Sequence, residues 1–201
     1  MKTKPALFPV LLATMLGLGG CASAPVRYYT LMAPAASNGA ATAPYQIEVL
    51  PVGIPEALDR QGLVVRQGKA GVAILDRERW VGPLDEEVRR ALSARLATLL
   101  GAQDVTGLAR APSQPVLRVK VEIRRLDAWL GRQVDLDADW SVGFAGSPQQ
   151  RTVCRSRLSE SAPEGDGEAL VTAYQQALNL LAQRIALAVQ SHGGENNAAC
   201  T

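Results

Sequence analysis

Residues 115–126 read Pro-Val-Leu-Arg-Val-Lys-Val-Glu-Ile-Arg-Arg-Leu. Leu117, Val119, Val121 and Ile123 alternate with Arg118, Lys120, Glu122 and Arg124. Side chains on a strand point alternately to opposite faces, so one face meets a core and the other meets water. Residues 133–144 answer it: Val134, Leu136, Ala138, Trp140, Val142 and Phe144 alternate with Asp135, Asp137, Asp139 and Ser141. Paired as neighbours, the two strands set a mostly basic outer ladder against an acidic one. Each opposite-charge pair contributes ~0.2–1 kcal/mol and helps fix register. A third strand of this meander is expected over 150–158.

Two helical stripes flank the meander. Leu84, Val88, Ala91, Leu92, Leu96 and Leu99 recur three and four apart across 84–100, the spacing of one helix face. Asp85, Glu86 and Glu87 crowd the first turn, where the helix dipole favours carboxylates. Glu86 and Arg90 form an i,i+4 pair, and Gly101 stops the helix. The second stripe is Leu170, Tyr174, Ala177, Leu178, Leu181, Ile185 and Val189, from an Asp166 cap to about Ser191.

Upstream, 27–31 reads as a short strand and 45–54 as a strand buried on both sides. Residues 63–67 and 72–75 read as two strands around a turn, 76–83 as a loop carrying Trp80, and 104–108 as a short strand. The layout is an α+β two-layer sandwich: a mostly antiparallel sheet with two amphipathic helices packed on one face.

The amino terminus carries a different signal. Lys2 and Lys4 precede an apolar run over 6–17, and Leu18-Gly19-Gly20-Cys21 closes it. The run is shorter than the about 20 residues of a membrane span. Positive, apolar and then small is the order of a secretory signal peptide. The cysteine directly after small residues resembles the lipobox of bacterial lipoproteins. That resemblance implies cleavage before Cys21, a diacylglyceryl group on its thiol and acylation of the new amine. Ala22 beside it is similar to the outer-membrane sorting choice. Each buried acyl CH₂ contributes ~0.8 kcal/mol, so such chains hold a protein on a bilayer. The expected organisation is a signal peptide over 1–20, a lipid-anchored tether over 21–26, one periplasmic domain over 27–192 and a polar tail over 193–201.

Without Lys2 and Lys4, 19 Lys and Arg face 19 Asp and Glu. This balance gives no electrostatic case for nucleic acid or anionic headgroups. The one histidine, His192, lies in a Gly/Asn tail. Neither a Ser-His or Cys-His pair nor an ordinary zinc site follows. Asp135, Asp137 and Asp139 at strand spacing stand ~7 Å apart, which suits a solvated face rather than one ion. Residues 62–70 lack the spacing and the hydroxyl of a phosphate-binding loop. No catalytic residues, metal or cofactor are expected. Once Cys21 is acylated, Cys154 and Cys200 remain in an oxidising compartment. A bridge between them, worth ~3–4 kcal/mol, and two unpaired thiols are both open.

Tyr28-Tyr29-Thr30-Leu31 follows Cys21 closely. Residues 52–60, Val-Gly-Ile-Pro-Glu-Ala-Leu-Asp-Arg, run into Leu63-Val64-Val65-Arg66, and Glu78-Arg79-Trp80 with Pro83-Leu84 opens the first helix. In order and spacing, residues 28–100 resemble the ABC-type transport auxiliary lipoprotein family, the PqiC/YmbA group. Ala57 stands where an aromatic is frequent, and Val81-Gly82 where a more helical dipeptide is usual. The resemblance implies a lipoprotein on the periplasmic face of the outer membrane. Its implied role is that of a non-catalytic docking subunit in an MCE/ABC-type phospholipid transport system that maintains membrane integrity. The implied partner is an MCE-domain periplasmic protein, and a homo-oligomer is also open. Tyr28, Tyr29, Leu31, Pro55, Leu58, Asp59, Arg60, Arg66, Arg79 and Trp80 carry the signature, either for folding or for docking that partner. The alternative reading is a lipid carrier or outer-membrane assembly chaperone with its own apolar cavity.

Overall fold

The computed structural model describes residues 24–32, 42–108, 113–147, 151–191 and residue 200. The signal peptide, Cys21 and His192 lie outside the described residues. In chain order the elements are β1 (Arg27–Tyr29), β2 (Gln46–Val49), a 3₁₀ turn (Glu56–Leu58), β3 (Gly62–Gln67), β4 (Gly71–Trp80) and α1 (Leu84–Leu100). Then come β5 (Gln103–Asp104), β6 (Val116–Trp129), β7 (Gln133–Phe144), β8 (Thr152–Ser161) and α2 (Gly167–Gln190).

The alternating stretches become the antiparallel meander β6-β7-β8. Leu117, Val119, Val121 and Ile123 point inward and are almost fully buried. So do Val134, Leu136, Ala138, Trp140 and Val142. Trp140 keeps its polar edge satisfied, because Nε1 donates to the buried Ser156 Oγ at 2.9 Å. β2 adds in parallel to β6, and β5 in parallel to β2. The five-stranded order is β5-β2-β6-β7-β8. α1 packs over β2 and β5, α2 over β7 and β8, and the helices pack on each other.

The fold class is α+β as expected, but the strands divide between two sheets. β1, β4 and β3 form a separate three-stranded sheet in that order. Its hairpin β3–β4 is antiparallel and β1 joins β4 in parallel. The expected loop over 76–83 is strand as far as Trp80. Glu78, Arg79 and Trp80 pair with Arg27, Tyr28 and Tyr29. That partner lies about fifty residues upstream, and the charged run 76–79 offers no apolar period to announce it.

Other expectations shift for local reasons. The buried strand over 45–54 pairs regularly only as far as Val49, because Pro51 has no N–H to give. Pairing resumes beyond it, with Gly53 N donating to Val121 O and Ile123 N to Gly53 O. A Cβ at Gly53 would meet the Glu122 carboxylate, the end of a flexible side chain that would have to swing aside. The short strand over 104–108 ends at Asp104, whose Oδ1 accepts from Thr106 N at 2.8 Å and turns the chain. α1 has the expected bounds and ends at Gly101, φ 58°. Leu99 faces out and Leu100 takes its place in the core. Asp166 caps α2 by accepting from Ala169 N at 2.9 Å.

The simple basic-against-acidic ladder is also corrected. The register sets Glu122 opposite Asp139 and Asp127 opposite Asp135. A bulge between Ile123 and Arg125 turns out Arg124, which reaches Asp139 at 2.7 Å. β8 supplies the remaining cations: Arg155 lies 2.8 Å from Asp139 and 3.3 Å from Asp137. The acidic strand is thus neutralised from both sides, by the directly opposite Arg155 and Arg157 of β8 and by off-register contacts of Arg124 and Arg155.

Candidate docking surface

The amino-terminal segment is held by side chains that reach it from both helices. β1 lies along β4, and the chain then passes Thr30 and Leu31 into the body. Leu31 is fully buried. Glu87, only 2% exposed, accepts from Leu31 N at 2.9 Å and from Thr30 Oγ1 at 2.6 Å. Arg95 donates to Leu31 O and to Gln175 O, each at 3.3 Å, and its burial lowers its basicity below the usual arginine value. Gln175 Nε2 donates to Thr30 O at 3.0 Å. Two peptide units are therefore clasped by a carboxylate, a guanidinium and an amide. None of these three was singled out in the sequence for this work, although Glu87 has a visible signal. It sits three residues after Leu84 and four before Ala91, on the apolar stripe, where a charged residue needs a partner.

The signature residues divide into buried and exposed sets around this clasp. Trp80 is 4% exposed and meets Tyr174 edge-to-face at 5.5 Å. Burial raises the hydroxyl pKa of Tyr174, and also that of Tyr29. Pro55 opens the 3₁₀ turn, its carbonyl accepting from Leu58 N at 2.9 Å, and Leu58 packs against the core. Arg66 pairs with Asp127 of β6 at 3.1 Å. It therefore ties the small sheet to the large one. Arg79 Nε donates to Asp76 O at 2.7 Å on the surface. Tyr28, at 63% exposure, Asp59 and Arg60 face solvent.

Two clefts collect these residues. One, of about 270 Å³, is lined by Asp59, Arg60, Gln61, Trp80, Val81, Gly82 and Pro83. The other, of about 190 Å³, lies between the β3–β4 hairpin and the bulge of β6, with Pro55, Leu58 and Arg66 in its wall. A third pocket, of about 220 Å³, is apolar and lies at the far end, lined by Tyr45, Leu117, Val142, Phe144 and Val189. It is smaller than the ~300–1,000 Å³ of ordinary ligand sites.

The three aspartates of β7 are engaged by neighbours. Asp139 has Arg124 and Arg155, Asp137 has Arg155 and Arg157, and Asp135 accepts from Gln133 and Ser159. The Arg124 hydrogen bond, followed by Arg155, holds Asp139 below the usual carboxylate range. No group of three or more candidate metal ligands occurs among the described residues. Cys154 and Cys200 are joined in a disulfide, Cα–Cα 5.2 Å, which fastens the end of the chain to the buried face of β8.

The clasp, the small sheet and the meander all fall within a span that matches known proteins. A crystal structure of an uncharacterised protein superposes with a TM-score of 0.66 at 20% identity, covering 83% of this chain and 99% of that one. A crystal structure of a Xanthomonas campestris protein superposes with a TM-score of 0.53 at 14% identity, covering 74% and 88%. At these identities the likeness is one of fold. No curated protein matches the chain. The model of the ABC-type transport auxiliary lipoprotein component matches residues 29–186, from the clasp to near the end of α2, and the chain belongs to that family.

Proposed function

We propose that this protein is the outer-membrane terminus of an MCE-type lipid transporter, a non-catalytic subunit that holds the periplasmic MCE-domain protein beside the bilayer. Membership of a lipoprotein family implies a membrane-anchored place in the cell envelope. The observation that carries the proposal is the clasp on Thr30 and Leu31. It fixes the body nine residues after the cysteine that would carry the acyl chains. An extended segment of that length reaches at most ~30 Å. A body held so close to a membrane is suited to presenting a surface.

The exposed signature residues Tyr28, Asp59 and Arg60 belong to that surface, and Leu31 and Trp80 support it from the core. The carrier alternative is less well supported, because the apolar pocket beside Tyr45 is too small for an acyl chain with its headgroup.

The test is copurification of the acylated protein with its MCE-domain partner from detergent-solubilised envelopes. Tyr28→Ala combined with Arg60→Ala should leave the thermal midpoint unchanged and lose the partner. Full retention of the partner by that folded variant would rule out docking through this surface.

A further inference from the structure

We propose that the β6–β7 hairpin tip, Trp129-Leu130-Gly131-Arg132, lies in the interfacial layer of the membrane that holds the lipid anchor. This rests on the anchoring reading above and adds a second, non-covalent contact with the bilayer.

The tip is built as a rigid amphipathic wedge. Arg132 N donates to Trp129 O at 3.0 Å and closes a four-residue turn. Gly131 takes its third position with φ 68°, where a side chain would be strained. The Arg132 guanidinium stands 4.9 Å from the centre of the Trp129 ring. Leu130, between them in the turn, is 37% exposed. Tryptophan beside a cation and an exposed leucine matches the chemistry of the headgroup boundary, where one side of the group is apolar and the other wet.

The tip stands at the same end of the molecule as the tether. Ala162 N donates to Arg132 O at 2.8 Å. From there the chain needs only five residues to reach Gly167, where an added Cβ would lie 3.0 Å from Tyr29 Oη. A Cβ at Gly131 would also lie 3.9 Å from Gly165 Cα, two residues before Gly167, so the tip is within ~18 Å of the Tyr29 hydroxyl on β1. Val26, 41% exposed, begins the body five residues after Cys21, a reach of ~17 Å. Exposed Tyr28 adds a second aromatic at this end.

The charges nearby choose the kind of contact. Arg27, Arg79 and Arg132 stand at this end with Glu78, Glu164, Asp166 and Glu168, so it carries no excess of positive charge. Attraction to anionic headgroups cannot drive the contact, and insertion of apolar and aromatic groups into a zwitterionic surface can.

The acylated protein is to be reconstituted in phosphatidylcholine–phosphatidylethanolamine vesicles whose phosphatidylcholine carries bromine on its acyl chains. Trp80 and Trp140 are buried, so contact quenching reads Trp129. The expected result is loss of the Trp129 share of the emission, unchanged by added salt. Trp129→Phe removes that loss. Leu130→Glu reduces it while keeping the thermal midpoint. Protein that floats with the vesicles but is unquenched overturns this inference alone. So does a photo-crosslinker at Leu130 that captures a second copy of the chain instead of lipid. Failure to float would refute the anchoring reading itself.

Discussion

Glu87 accepts from Leu31 N and Thr30 Oγ1 inside the protein, where water cannot replace it. Glu87→Ala leaves a buried N–H without an acceptor, and such an orphan costs about 1–3 kcal/mol. The expected effect is a lowered thermal midpoint together with faster hydrogen exchange at Leu31. Glu87→Gln keeps one acceptor oxygen and should cost less. An unchanged midpoint in Glu87→Ala would mean that the clasp does not hold the segment. At this scale the sequence is readable only in part. Spacing alone places Glu87 both in the first turn of α1 and on its apolar stripe. The first reading predicts a solvated dipole partner, and the structure shows a buried acceptor. What decides between them is Thr30, 57 residues away, which no local pattern connects to Glu87. Arg66 shows the same limit, since its partner Asp127 lies on another sheet.

At the level of elements, period-two and period-3.6 patterns located β6, β7, β8 and both helices, because each presents one face to a single core. They missed the run 76–80 of β4, where Glu78, Arg79 and Trp80 pair with β1 but the charged residues 76–79 show no apolar alternation and only Trp80 is buried. The bulge in β6 left a mark that alternation could have shown. The inward residues are odd-numbered up to Ile123 and even-numbered from Leu126, with Arg124 and Arg125 between them. That bulge supplies one of the two arginines on Asp139, and this gives a pH prediction. Arg124 and Arg155 hold Asp139, and Arg89 holds Glu86, below their ordinary carboxylate values. A depressed folded-state value means that the pairing stabilises above the unfolded value and is lost as pH falls through the folded one. The urea midpoint should stay level from neutral pH to about 5 and fall below about pH 4. Asp139→Asn should flatten part of that fall. A fall that is the same in the variant would show that Asp139 contributes nothing to it.

The domain is fastened at two places far apart in sequence. The amino-terminal end is clasped between the helices, and Cys200 is bonded to Cys154 of β8 across 46 residues of sequence. In the chain-entropy model, cross-linking a loop of that length stabilises by about 4 kcal/mol. The double variant Cys154→Ser, Cys200→Ser should lose stability of that order in urea unfolding, and the wild type should match it under reducing conditions. Equal midpoints with and without reductant would remove the bridge from the energetics. The α+β class follows from the element patterns, but the division into two sheets does not. The hairpin β3–β4 stands apart from the large sheet, and β1 completes it by a parallel pairing with β4 that only tertiary contact creates.

The proposal that this chain docks a partner at a membrane depends above all on the chemistry of residue 21. The intact mass of the mature protein, extracted from envelopes without hydrolysis, reads it directly. The expected species starts at Cys21 and exceeds its polypeptide mass by a diacylglyceryl group and one further acyl chain. A mature chain that starts at another residue, or has a free thiol at Cys21, would leave the body unanchored and the proposal without its basis.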